Sequence, residues 1–205
     1  MSRTRRTAGK IRAVKPEIRV LGIDDGVFVP HSGDLVDVIG VVFRGGYWLN
    51  GIMRTHVRVD GMDATEKLAS MIIDSPHYDQ LRVIVLNGVT LAGFNVVDIQ
   101  ELFERVKLPV IAVARDKPNF DDIRKALKNL PENEKRWRAI KKAGKMFKVR
   151  TRVGEEPIYA HAVGLSEENA KRILRSTSTR SNIPEALRVA HLIASGLGGQ
   201  KKKLS

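Results

Sequence analysis

Three apolar runs lie near the start of the chain, separated by short polar breaks. Residues 18–23 read IRVLGI, residues 35–43 read LVDVIGVVF, and residues 47–59 read YWLNGIMRTHVRV with partial alternation. Short runs rich in β-branched residues and bounded by turn signals predict strands. Arg44-Gly45-Gly46 between the second and third runs is a tight hairpin signal. The three strands are therefore expected to form an antiparallel meander, with a bulge at Gly51 inside the third.

The period then changes. Leu68, Met71 and Ile72 recur at helical spacing within 67–73, and Asp63 followed three residues later by Glu66 reads as a capping box at the helix start. Residues 81–86 (LRVIVL), bounded by Asn87-Gly88, read as a buried parallel strand. A helix is expected over 95–107, with Val96, Ile99, Leu102 and Phe103 on one face, and a strand over 109–114 (PVIAVA). Two basic helices follow at 120–130 and 132–143, the second opened by Pro131. Two short strands are expected within 147–161 around Gly154. Ser166 caps a helix over 167–175, and Pro184 starts another that runs to about residue 195. Antiparallel strands 1–3 followed by parallel strands reached through helices predict an α/β mixed sheet with helices on both faces. That order is similar to the ribonuclease H-like fold.

Composition narrows the class. The 205 residues suffice for one domain, expected over 16–197 between basic tails at 1–15 and 198–205. Cysteine is absent, which excludes disulfides and thiolate metal sites. No apolar run approaches the ~20 residues of a membrane span, and the basic N-terminus lacks the apolar core of a secretory signal. A cytoplasmic protein is expected.

The net charge of +13 is unevenly placed. Residues 1–15 carry six cations and no anion, and Lys201, Lys202 and Lys203 add three more. Residues 16–114 hold 8 cations and 13 anions, whereas 115–152 hold 14 cations and 5 anions. An acidic segment beside a grouped cationic one suits phosphate neutralisation better than a high pI alone, although solvated Lys-rich helices account for it equally well.

The acidic segment contains the candidate chemistry. Asp24 and Asp25 end the first apolar run, where an unpartnered carboxylate is expensive to desolvate. A divalent cation would partner them; a wet turn at the strand end would also explain them. Asp60, Asp63 and Glu66 stand at the turn into the first helix, Asn87 ends the fourth strand, and His191 lies on the last helix. Strands one and four are expected to be neighbours, which sets Asp24 and Asn87 side by side at the carboxyl edge where open α/β sheets bind ligands. Adjacent strand residues point to opposite faces, so Asp25 is expected to face away from Asp24. The glycines at 88 and 93 have P-loop spacing without the Lys-Ser/Thr that completes it. Trp48 and Trp137 are expected to pack.

Five segments in order resemble endonuclease V and the uncharacterised protein family related to it, more closely the latter. They are RVLGIDDGVF (19–28), VDGMDATEKLA (59–69), RVIVLNGVTLAGFNVVDI (82–99), LPVIAVARDKP (108–118) and NIPEALRVAHLIAS (182–195). The resemblance implies a ribonuclease H-like fold and metal-dependent cleavage of nucleic acid with Mg²⁺ or Mn²⁺. It implies that Asp24 is a metal ligand and that Asp63 or Glu66 fills the place of a helix glutamate. Asn87 stands at a metal aspartate, Arg115 at a lysine, and His191 at a catalytic histidine. With Arg115, the cations of 115–152, Lys117, Lys141 and Lys142 among them, would hold phosphates of DNA or RNA.

Two departures bear on activity. Asn87 brings an amide oxygen but no negative charge. In place of the Pro-Tyr-x-Pro-Gly loop that wedges a duplex in endonuclease V, this chain has Val57-Arg58-Val59-Asp60-Gly61. The two functional expectations are therefore a metal-dependent nuclease and a catalytically inactive nucleic-acid-binding protein of the same fold.

Overall fold

The computed structural model describes residues 14–201, with side chains to residue 197. The expected tails at 1–15 and 198–205 fall outside the described side chains except for Val14 and Lys15.

The strands are β1 (Arg19–Asp25), β2 (Leu35–Arg44), β3 (Trp48–Arg58), β4 (Val83–Asn87), β7 (Val110–Ala114), β8 (Phe147–Val149) and β9 (Ile158–Val163), with a separate ribbon of β5 (Thr90–Leu91) and β6 (Asn95–Val96). The helices are α1 (Ala64–Asp74), α2 (Ile99–Val106), α3 (Phe120–Leu127), α4 (Asn133–Lys142), α5 (Glu167–Thr177) and α6 (Glu185–Lys201). Seven strands form one sheet in the order β3-β2-β1-β4-β7-β9-β8. β1, β2 and β3 pair antiparallel, β1, β4 and β7 pair parallel, and β7, β9 and β8 pair antiparallel.

Alternation along β1 divides the core. Leu21 and Ile23 face one layer with Leu68, Ile72 and Leu102 of α1 and α2. Val20 faces the other with Ile173 and Leu174 of α5 and Ala190 of α6. A smaller cluster of Val96, Leu127 and Ile140 ties α3 and α4 to the β5–β6 ribbon. Among the described residues no helix is long and apolar enough to cross a membrane.

α6 lies unusually close to β1, and glycine permits it. A Cβ at Gly22 would run into the backbone of Ala186 and Leu187, and one at Gly26 would stand 3.1 Å from the Ala194 carbonyl oxygen. The two elements therefore run side by side in the same direction. Gly22→Ala is expected to destabilise the fold by about 1–3 kcal/mol, the usual cost of overpacking. It should also push His191 away from the strand, and urea unfolding paired with the activity of the variant checks both effects.

Several local expectations need correction. The helix expected over 95–107 begins only at Ile99, capped by Asp98, whose side chain accepts from the Glu101 amide. Asn95 and Val96 belong to β6, because Val96 packs on Leu127 and Ile140. The capping box at Asp63 does not form. Asn95 Oδ1 instead accepts from the Ala64 amide at 3.0 Å, while Asp63 accepts from Asn95 Nδ2 at 2.6 Å. Glu132, in a left-handed conformation, precedes α4, so Pro131 stands outside the helix rather than opening it. The bulge expected at Gly51 falls one residue earlier: Val42 pairs with Gly51 and Phe43 with Leu49, which leaves Asn50 extra. Trp48 does not pack; it is 59% exposed. Trp137 does pack, edge-on against Phe120 with Arg124 over its ring.

Candidate functional site

Asp24 sits at the carboxyl end of β1 and is 2% exposed. Ile23 pairs with Leu86 on parallel β4, so the next residues along, Asp24 and Asn87, come together. Asn87 Nδ2 donates to Asp24 Oδ1 at 3.0 Å, and the Asp25 amide donates to the same oxygen at 3.0 Å. The other oxygen, Oδ2, lies 2.8 Å from His191 Nδ1 on α6. With Asp24 ionised, Nδ1 carries the proton and Nε2 is left as a free base. His191 itself is about half exposed, so the oriented imidazole reaches solvent.

Asp25 points to the opposite face, as alternation along the strand requires. Its Oδ2 accepts from the Ala92 amide at 2.7 Å, at the tip of the β5–β6 ribbon. Burial pushes Asp25 up to about 6, against the pull of the Ala92 amide and with the charge of Asp24 adding to the rise. Its ordinary value is 3.8, so the folded state binds more protons than the unfolded state between about pH 4 and 6. Stability is therefore lost as pH rises through that window, by about 3 kcal/mol at roughly 1.4 kcal/mol per unit. Asp25→Asn keeps an acceptor for Ala92 and removes the charge. Denaturant unfolding of this variant is expected to show a gain of up to ~3 kcal/mol at pH 7 and little at pH 4.

Asp63 and Glu66 lie elsewhere. Glu66 is exposed on α1, and neither residue bonds to Asp24, Asn87 or His191. Asp63 belongs to a second polar knot with Asp60, Asn95 and Arg136. Asp60 adopts φ 51° and accepts from the Phe94 amide at 2.8 Å, while its other oxygen is 2.8 Å from His31 Nδ1.

Arg136 is the residue that sequence reasoning overlooks. Its side chain is only 1% exposed and donates to the carbonyls of Pro131, Gly61, Phe94 and Asp60. Burial pulls the guanidinium down, and the charges of Asp60 and Glu132 oppose that. The available signal is its spacing four residues before buried Ile140, on the inward face of a helix otherwise rich in charge.

The basic residues divide as well. Asn87 pairs with Val113, so Arg115 and Lys117 emerge just beyond the site, both exposed. Lys141 is exposed on α4, whereas Lys142 pairs with Asp98 at 2.8 Å. Among the described residues no group of three His, Asp or Glu side chains converges closely enough to hold a metal ion.

A mixed sheet of this order, covered by helices on both faces, is a ribonuclease H-like fold. It matches the crystal structure of endonuclease V from Bacillus subtilis with a TM-score of 0.65 at 12% identity, over 97% of this chain and 89% of that one. At that identity the likeness is one of fold. The chain belongs to the endonuclease dU family, whose sequence model matches residues 16–198. A UPF0215 protein of Methanosarcina acetivorans is 52% identical over 184 residues, 90% of this chain and 92% of that one. The crystal structure of an Archaeoglobus fulgidus protein of unknown function is 36% identical, with a TM-score of 0.79 over 88% of this chain and 98% of that one.

Proposed function

We propose that this protein is a metal-dependent endonuclease that hydrolyses a phosphodiester bond in nucleic acid at the Asp24–Asn87–His191 site. The observation that carries the reading is the buried Asp24 carboxylate gripping His191 Nδ1 at 2.8 Å beside the carboxyl edge of the central strands. His191 Nε2 takes a proton from an attacking water and returns it to the leaving oxygen, a general acid–base role. Arg115 and Lys117, just past the strand end, hold the flanking phosphates. The name of the family makes DNA carrying deoxyuridine the first substrate to test.

The donor set fits a sparsely held cation. Asp24 Oδ1 already accepts two hydrogen bonds and Oδ2 only one, so Oδ2 retains a lone pair. The Asn87 amide oxygen is the second donor. Mg²⁺ commonly keeps several waters and binds through one or two carboxylates, which suits so short a set. When bound, Mg²⁺ or Mn²⁺ would acidify water and offset charge on the scissile phosphate. The reading rests on these residues and leaves Asp63 and Glu66 outside their contacts.

A second reading is a nucleic-acid-binding protein without turnover. The neutral Asn87 and the absence, among the described residues, of a third converging acid or histidine favour it. Incubation with duplexes containing deoxyuridine, inosine or neither, with Mg²⁺ or Mn²⁺, separates the two readings. Metal-dependent nicking of the deoxyuridine strand is the expected result. Binding that weakens steeply with salt, with no nicking of any substrate, would establish the second reading instead.

A further inference from the structure

We propose that the amino end of the sheet carries a second nucleic-acid site, which holds an unpaired nucleotide of a single strand by its phosphates and its base. A cavity of about 510 Å³ opens there between α5, residues 14–16 and the β2–β3 turn. Its lining includes Lys15, Pro16, Tyr47, Arg172, Arg175 and Ser176, with three cations and no acid.

The cations are unspent. Among the described residues Lys15 and Arg172 make no ion pair, and Arg175 donates only to the Arg150 carbonyl, at 3.3 Å. Elsewhere in this part of the chain the cations are neutralised: Lys171 pairs with Glu167, Arg152 with Glu155 and Arg188 with Glu185. Arg172 and Arg175 stand three apart on α5 and so share one flank of that helix.

The aromatic wall is presented rigidly. Tyr47 is 73% exposed at the β2–β3 turn, and Trp48 follows it, also exposed. The turn is pinned from two sides. The Gly45 amide donates to the Ile18 carbonyl at 2.9 Å, and Thr179 Oγ1 donates to the Gly46 carbonyl at 2.7 Å. A fixed, solvent-facing ring beside unpaired cations is the arrangement that stacks bases and tracks a phosphate backbone. The cavity is small and concave, so it takes one unpaired nucleotide rather than a duplex. The chain also enters it from a stretch bearing Arg3, Arg5, Arg6, Lys10 and Arg12. From Arg19 to Asp24 is roughly 17 Å along β1 at about 3.3 Å per residue, so this site is distinct from that of Asp24.

Binding here does not depend on catalysis, so it is measured on the full chain in EDTA. Fluorescence anisotropy with labelled (dT)15 is compared between the protein, Arg172→Glu/Arg175→Glu, Tyr47→Ala and a control pair, Lys107→Glu/Lys145→Glu. The double reversal is expected to weaken binding at least ~10-fold and to lower the salt slope by about 2, one per lost phosphate contact. Tyr47→Ala should cost about fivefold or more, and Tyr47→Phe should restore the affinity, because the ring and not the hydroxyl stacks the base. Competition by dTMP as strong as that by unlabelled (dT)15 would identify a mononucleotide site and overturn the assignment to a strand. Equal loss in the control pair would show a net-charge effect only, and unchanged binding in the cavity variants would remove the site; either result overturns the proposal. Nicking at the Asp24 site is scored separately, so failure of one proposal leaves the other standing.

Discussion

Asp24→Asn is expected to lower nicking of a deoxyuridine duplex by roughly 10²–10⁴-fold, the range for losing a positioned acid–base group or its correct tautomer. The carboxylate of Asp24 accepts from Asn87 Nδ2, the Asp25 amide and His191 Nδ1. An asparagine has one accepting oxygen. With that oxygen kept by Asn87 and Asp25, its amide would face His191 Nδ1 and reverse the tautomer, so that Nε2 bears the proton and can no longer act as a base. Calorimetric Mn²⁺ titration gives a second readout: the heat of binding should vanish in Asp24→Asn and persist in His191→Ala, while both variants lose turnover. Because the two residues act as a unit, the double variant should be little slower than either single one. Undiminished nicking in Asp24→Asn would refute the mechanism.

Arg136→Met is expected to cost roughly 3–5 kcal/mol, the scale for removing one member of a buried charged network. Four carbonyls would lose their donor, and buried acceptors left unpaired are individually expensive. At about 2–4 °C per kcal/mol for a chain of this size, the thermal midpoint should fall by about 10 °C or more. Arg136→Lys keeps the charge but not the planar fork and should lie between the two. Circular dichroism melts of the three proteins rank them. A midpoint for Arg136→Met within 2–3 °C of the parent would mean that the loops at 59–63 and 92–96 find other partners.

The sheet is legible in the sequence because its strands are fully buried apolar runs closed by Gly, Asn or Asp, and each run tolerates only one reading. Strand pairing then makes Asp24 and Asn87 neighbours, and alternation sends Asp25 the other way. What escapes is whatever depends on partners distant in sequence. Asp63 and Glu66 have the spacing of a capping box, but Asn95, 31 positions beyond Ala64, takes the capping role and draws Asp63 to itself. Val96 has helical spacing with Ile99, yet α3 and α4 offer it a better apolar contact on the other side. Trp48 reads as a core residue because local pattern does not reveal that β3 lies at the sheet edge. Arg136 reads as one more surface cation because four carbonyls from three loops and a strand end cannot be assembled from local spacing. His191 stands out only through the resemblance of its segment, since nothing near it in sequence announces a carboxylate 167 positions away.

The extra residue at Asn50 bears on how the protein keeps to itself in concentrated solution. β3 is a sheet edge of eleven residues, and a flat edge of that length is a template for another chain. The bulge twists the strand where Trp48 and Leu49 are most exposed, and Arg54, His56 and Arg58 place charge along the remainder. At the other margin β8 has only three residues, too short to recruit a neighbour. A sheet open at both ends is thus protected from fibrous self-association, and deleting Asn50 would put that protection at risk before it touched the chemistry at Asp24.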